Sequence, residues 1–176
     1  MEIKITSEPI DQIKAGALVS DIYARDFPLK GHLGILDWRL YGFFSHLLED
    51  AKLTGRLRET YLIPSQNKTR TQYFLLAGLG TKTRLTEKKV SSVVPHVLKT
   101  LRRMKVQEFV LVPLGWQVLG FNRAFKLFMQ EFHKNEPLFS SFFFKKMIVY
   151  VPPEAKKSRT HVSKMLPFIQ KRMSHV

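Results

Sequence analysis

The residues able to do chemistry in this chain are few and scattered. Six histidines stand at positions 32, 46, 96, 133, 161 and 175, and no two are four residues apart, the spacing that sets two imidazoles on one helix face around a metal ion. No H-E-x-x-H occurs, and the absence of cysteine excludes disulfides, thiolate zinc sites, iron–sulfur clusters and a cysteine nucleophile. Ser45 with His46, and Ser174 with His175, are sequence neighbours without a G-x-S-x-G elbow, and adjacency alone builds no nucleophile–base pair. Glu49 and Asp50 read as a solvated helix end rather than a pair of acid–base carboxylates. No catalytic residue, metal or cofactor is expected.

Two patterns bear on binding instead. Gly78, Leu79, Gly80, Thr81 and Lys82 follow a strand-like run and precede a helical one, a setting where backbone N–H groups can cradle a phosphate. The loop fits neither G-x-x-x-x-G-K-[ST], because Leu75 and Thr81 stand where Gly and Lys are needed, nor G-x-G-x-x-G, because position 83 is Thr83. Gly78, Gly80, Thr81 and Lys82 are therefore a candidate ligand loop whose simpler reading is a tight turn. The second pattern is basic. Helical spacing from Thr86 onward gathers Lys88, Lys89, Ser92, His96, Lys99 and Arg103 opposite an apolar stripe, with Arg102 and Lys105 near its end. Lys88, Lys89, Lys99, Arg102 and Arg103 are the candidate polyanion-binding residues. About five phosphate contacts predict sequence-independent binding with a log–log salt slope near −4 to −5.

The wider composition supports that second pattern. The chain has 176 residues with 29 Lys and Arg against 14 Asp and Glu, a formal net charge of +15. Residues 1–51 hold five basic and eight acidic residues, whereas 52–176 hold 24 and six, so the charge is lopsided. Such asymmetry attracts polyanions or acidic partners and says nothing about fold. A hydrophobic fraction of 44% with fourteen Phe belongs to a packed domain. The first residues lack a basic then apolar leader, and no uncharged stretch is long enough to span a membrane, so a cytoplasmic protein is the default expectation.

The elements that must carry these residues alternate along the chain. Runs 2–6 and 17–24 read as two strands joined by a turn around 9–16. Asp37 is placed to cap a helix whose apolar face holds Trp38, Tyr41, Phe44 and Leu48. Runs 59–64 and 71–77 flank a polar loop and read as neighbouring strands. Thr86 caps a second helix, with Val90, Val94, Val97, Leu101 and Met104 on one face and Pro95 predicting a kink or a restart near Ser91 or Ser92. Then come a buried strand at 109–113, a helix striped by Phe121, Phe125, Phe128 and Phe132, a strand at 142–151, and a last helix containing Val162, Met165, Leu166, Ile169 and Pro167. The order predicts an α/β protein with helices on a mixed sheet. The Phe stripe, with Phe139, Phe142, Phe143 and Phe144, is more aromatic area than one small sheet needs, so association through it is expected.

The order of these pieces carries a resemblance. The run 57–64, Leu-Arg-Glu-Thr-Tyr-Leu-Ile-Pro, then 73–82, Tyr-Phe-Leu-Leu-Ala-Gly-Leu-Gly-Thr-Lys, then Leu85, Thr86 and Glu87 opening a helix that ends at Leu101, Arg102, Arg103 and Met104, resembles the N-terminal domain of the leucyl aminopeptidase family. Upstream, 36–48 with Gly55, and downstream, 145–152, are similar to that family's first helix and its closing strand. The resemblance implies a macro-domain-like three-layer α/β/α fold, mixed sheet with helices on both faces, over 1–154, leaving 155–176 as a basic C-terminal helix or tail. In that family hydrolysis belongs to a C-terminal metal-binding domain with an N-T-D-A-E-G-R signature, and neither its ligands nor that signature has a counterpart here. Three readings follow from it: a non-catalytic stand-alone domain acting as a binding or assembly module for a protein partner, an aminopeptidase or itself; a sequence-independent nucleic-acid-binding protein using a basic face; and a domain for a nucleotide or ADP-ribose-type ligand.

Overall fold

The computed structural model describes residues 1–135, 143–160, 162–164 and 167. Six strands form one sheet: β1 (Glu2–Thr6), β2 (Ala15–Ile22), β3 (Thr60–Pro64), β4 (Thr71–Gly78), β5 (Glu108–Leu111) and β6 (Lys146–Tyr150), in the order β1-β6-β5-β2-β4-β3. Every neighbouring pair is parallel except β3 with β4. Helices α1 (Gly31–Arg39) and α2 (Phe43–Glu49) pack one face through Leu33, Leu36, Leu40 and Phe44, which meet Leu18, Ile22, Phe74 and Val110. Helices α3 (Glu87–Arg103) and α5 (Phe121–Asn135) pack the other, with the one-turn α4 (Trp116–Leu119) between β5 and α5. The result is the expected α/β/α sandwich with a mixed sheet.

Local sequence explains most of this. β2 and β4 are buried on both faces, and their near-continuous apolar runs are what parallel strands between two helical layers require. Thr86 caps α3 as expected, its hydroxyl accepting from the Lys89 amide at 3.4 Å. The helix does not restart near Ser91 or Ser92, and α3 is a single helix through Pro95. An interior proline costs about 3 kcal/mol, whereas each fully buried Val or Leu contributes about 1.5–3 kcal/mol, and α3 buries Val90, Val93, Val94, Val97, Leu98 and Leu101. Packing outweighs the lost bond.

Three other expectations change. β1 and β2 are not adjacent: β6 and β5 lie between them, and the connection carries a short 3-10 turn at Ile10–Gln12. The single helix expected after Asp37 is two, because Tyr41 and Gly42 adopt left-handed φ of 56° and 77° and break it. Asp37 lies inside α1 and caps α2 from seven residues away, its carboxylate accepting from the amides of Phe44 (2.7 Å) and Ser45 (3.1 Å) and from the Ser45 hydroxyl. The break turns Trp38 and Tyr41 outward, to 71% and 78% exposure. The aromatic stripe expected at a surface is core instead: Phe121, Phe125, Phe128, Phe132 and Phe144 are buried, and Phe143 packs against them. Phe139, Phe142 and most of 161–176 lie outside the described residues, although Val162 is buried in the α3–α5 layer.

Candidate functional site

Open parallel sheets bind ligands beyond the carboxyl ends of strands where the outgoing connections diverge. Here that point is between β2, whose connection leads toward β3, and β5, whose connection leads toward β6. It is closed by the chain itself. Buried Asp21 at the end of β2 accepts from the Gly115 amide at 3.0 Å, across the divergence. Beside it Lys82 pairs with Asp26 at 2.8 Å and sits 5.0 Å above the Tyr23 ring. The remaining crevice, lined by Asp21, Tyr23, His32, Lys82 and Gln117, holds about 30 Å³, the room of a water molecule.

Its walls are electrically constrained. Burial raises the Asp21 carboxyl above its ordinary value, and burial together with Asp21 raises the Tyr23 phenol. Burial lowers the His32 imidazole to about 4. His32 Nε2 lies 2.7 Å from the buried Ser20 hydroxyl, which is 3.4 Å from the Asp21 carbonyl. Which of His32 and Ser20 donates follows the tautomer of the neutral imidazole. Among the described residues His32 Nδ1 has no hydrogen-bond partner, while the Tyr23 phenol faces the Asp21 carboxyl.

The candidate ligand loop runs along this crest, and the amides of its first three residues, Gly78, Leu79 and Gly80, are already engaged. Gly78 donates to Glu59 O at 2.8 Å, Leu79 to Ile22 O at 3.0 Å and Gly80 to Gly55 O at 2.9 Å. A Cβ on Gly78 would stand 1.9 Å from Arg56 O, and Gly80 holds a φ of +74°. Both glycines are thus required by close chain approach and by turn geometry. Thr81 precedes a 3-10 turn at Lys82–Arg84, and Lys82 is the residue paired with Asp26.

A larger opening lies at the α1–α2 corner. It encloses about 620 Å³ and is lined by Phe27, Pro28, Trp38 and Tyr41, with Asp37 and Ser45 among its polar groups. Phe27 is 56% exposed, so three large aromatic side chains face solvent around one groove. Arg39, held by Asp11 at 2.8 Å, stacks 5.0 Å from the Trp38 ring, and Lys68 stands 4.9 Å from Tyr41. Sequence periodicity assigned Trp38 and Tyr41 to the core; the one signal against it was Gly42, which follows them and ends a helix cheaply.

On the opposite layer, Lys88, His96, Lys99 and Arg103 are exposed along one side of α3. Lys89 turns back to donate to Arg84 O at 2.6 Å, and Arg102, also exposed, has a partner within the chain. Arg58, which sequence reasoning missed, joins this side by donating from Nε to the Ser92 hydroxyl at 3.3 Å. Among the described residues no three His, Asp or Glu side chains converge as a metal site, and no helix is long and apolar enough to cross a membrane.

The strand order and the two helical layers define a macrodomain-like α/β/α protein. Among solved structures, the macrodomain of Mycobacterium tuberculosis DarG matches with a TM-score of 0.65 and 13% identity over 86% of this chain and 97% of its own. A mutant macrodomain from Oceanobacillus iheyensis matches at 0.71 with 10% identity over 97% of this chain and 92% of its own. The Trypanosoma brucei macrodomain solved with ADP-ribose matches at 0.68 with 15% identity over 89% and 67%. At these identities the likeness is one of fold. Residues 28–129, more than half of the chain, match the model of the cytosol aminopeptidase family, N-terminal domain, and the chain belongs to that family. The probable cytosol aminopeptidase of Alkaliphilus oremlandii is 26% identical over 115 residues, 65% of this chain and 23% of its own length. The Haemophilus influenzae cytosol aminopeptidase is 26% identical over 104 residues, 59% and 20%. The chain thus spans about a fifth of the length of these relatives, within their N-terminal domain.

Proposed function

We propose that this chain is a non-catalytic binding or assembly module that acts in the cytoplasm and docks a protein partner, an aminopeptidase of its family or a second copy, into the groove at the α1–α2 corner. The observation that carries this reading is the exposure of Phe27, Trp38 and Tyr41 around a 620 Å³ opening. Apolar aromatic area costs free energy in water and supplies most of the binding energy when a partner covers it. Arg39 and Lys68 stand over the Trp38 and Tyr41 rings, which suits a polar rim around an apolar centre. The test is sedimentation of the chain alone and with a full-length cytosol aminopeptidase. Association that Trp38→Ser with Tyr41→Ser reduces at least tenfold supports the reading. A strict monomer that ignores the aminopeptidase overturns it.

A second reading, a nucleotide or ADP-ribose-type ligand at the strand ends, has its own support in His32 Nδ1, which has no partner among the described residues, and in the ADP-ribose complex of a fold neighbour. It ranks behind because the crevice holds about 30 Å³ and the Gly78 to Gly80 amides are engaged. Calorimetric titration with ADP-ribose decides it: heat of saturable binding promotes this reading, and none up to millimolar ligand removes it.

A further inference from the structure

The sheet has two edges, and they are built differently. At β1 the exposed Glu2 and Lys4 flank buried Ile3 and pair with each other at 3.3 Å, and charged side chains of this kind keep an edge from taking on another strand. At β3 no residue from Thr60 to Pro64 is charged, and Leu62 and Pro64 are exposed. Tyr73, opposite Pro64 in β4, is exposed on the same face, because α3 packs on β4 through Leu75 and Ala77 and leaves this side of β3 uncovered. The ladder fixes which backbone groups the edge offers. Gly78 donates to Glu59 O at 2.8 Å and Ser65 to Gln72 O at 2.9 Å, so in the antiparallel register Glu59, Tyr61, Ile63 and Ser65 face β4. The residues between them face outward. The N–H groups of Thr60 and Leu62 and the C=O groups of Thr60, Leu62 and Pro64 have no partner among the described residues. Pro64 stands where its missing N–H costs the sheet no bond.

We infer that the β3 edge takes an extended acidic segment of a protein partner as a further strand, antiparallel to β3. A partner residue opposite Leu62 exchanges two hydrogen bonds with it, one opposite Thr60 exchanges two more, and one opposite Pro64 donates to its carbonyl. The side chains of those three partner residues lie on the face of Leu62 and Tyr73, so apolar residues suit them. Charge chooses the occupant. Arg56 and Arg58 are exposed before the strand, and Lys68 and Arg70 after it. The one carboxylate in that stretch, Glu59, accepts from the hydroxyls of Thr54 and Tyr61. Two copies of β3 paired antiparallel about Leu62 would turn Arg56 of each toward Lys68 of the other, whereas an acidic segment meets cations at both ends. The inference goes beyond the groove and does not depend on it.

The experiment is fluorescence anisotropy of a labelled peptide, Val-Thr-Val-Thr-Val with two Asp at each end, titrated with the full chain. Saturable binding is expected, at least tenfold tighter than for the same peptide with Lys in place of Asp. N-methylation of the Val amides blocks the edge that bonds β3 and is expected to cost at least tenfold more than N-methylation of the Thr amides, which turn away from it. These comparisons need only the unaltered chain. On the protein, Leu62→Pro removes one outward donor without touching the β4 ladder and is expected to lose about fivefold, the worth of one hydrogen bond. Arg56→Glu with Arg58→Glu is expected to lose at least tenfold. A control of the same net charge, Lys126→Glu with Lys145→Glu, changes exposed lysines on α5 and ahead of β6 and is expected to lose less than threefold. Circular dichroism verifies that each variant is folded. No saturable binding, equal affinity for the Asp and Lys peptides, a loss on Val methylation no greater than on Thr methylation, or a dimer of the chain alone that Leu62→Pro dissociates each overturns the inference.

Discussion

His32 makes the acid stability of this protein calculable. Its imidazole is buried against Ser20, with Nδ1 unpartnered, and its pKa falls from an ordinary 6.5 to about 4 because burial disfavours the cation. The folded-state value is the lower one, so between about pH 6.5 and 4 the unfolded chain binds more protons at this position. Its contribution is fully present above about 6.5 and is lost as pH falls towards 4. A shift of this size is worth about 3.4 kcal/mol at the acid limit and about 2 kcal/mol between pH 7 and pH 5. Asp21 works the other way: its raised pKa makes the folded state the better proton acceptor, so its contribution is present at low pH and lost as pH rises through the folded value. The perturbation that separates them is His32→Gln, which removes one titration and leaves Asp21 in place. Urea unfolding at half-unit steps from pH 7.5 to 4.5 is expected to show the wild type losing about 2 kcal/mol more than the variant between pH 7 and 5. The absolute stability of the variant does not enter, because only the difference in slope is read. Parallel profiles for the two proteins, or a His32 ring proton that titrates near 6.5 by NMR, would refute the reasoning.

Asp37→Ala removes the cap of α2 and three accepted hydrogen bonds, and is expected to cost about 2 kcal/mol, with Ser45→Ala costing about 1 kcal/mol by the same urea assay. Gly78→Ala places a Cβ against Arg56 O at the end of β4 and is expected to cost more than about 3 kcal/mol, seen as loss of soluble protein or a collapsed thermal midpoint. The purified chain, supplied with zinc, manganese or cobalt, is expected to release no leucine from a chromogenic substrate, because a water nucleophile needs a bound cation to be activated and the described residues bring no cluster of ligands together. Metal-dependent turnover would overturn that expectation.

How much was legible depends on how local each cause is. The strands at β3, β4 and β5 and the helix starting after Thr86 follow from hydrophobic period and cap chemistry, which act within a few residues. The separation of β1 from β2 was not legible, since a parallel sheet is ordered by crossovers whose partners are more than a hundred residues away, as Ile3 with Met147 illustrates. Trp38 and Tyr41 have the spacing of a buried stripe, and only the left-handed turn at Tyr41 and Gly42 carries them outward. The basic side of α3 was legible because one helix supplies most of it. Arg58 was not, because its place beside Ser92 spans 34 positions of sequence. The ligand loop was recognised as a turn of the right kind, but whether its amides were free depended on Ile22, Gly55 and Glu59, which no spacing in the loop reveals.

The segment that follows β2 ties the crevice to the groove. Ala24 donates to Gly80 O at 2.9 Å and Asp26 pairs with Lys82, so the chain leaving β2 is fastened across the glycine turn and fills the strand ends. The next two residues, Phe27 and Pro28, emerge from that fastening as a wall of the groove. Admitting a nucleotide to the crevice therefore means releasing Asp26 from Lys82 and moving the segment that positions Phe27. If a ligand entered the strand ends and a protein the groove, both would act on one short stretch of backbone, and by linkage the effect of each on the other's affinity would be reciprocal. With the segment fastened, the groove is formed and the crevice is closed. In that state the strand ends have no room for a nucleotide, and a partner of the kind proposed would meet a formed groove at the α1–α2 corner.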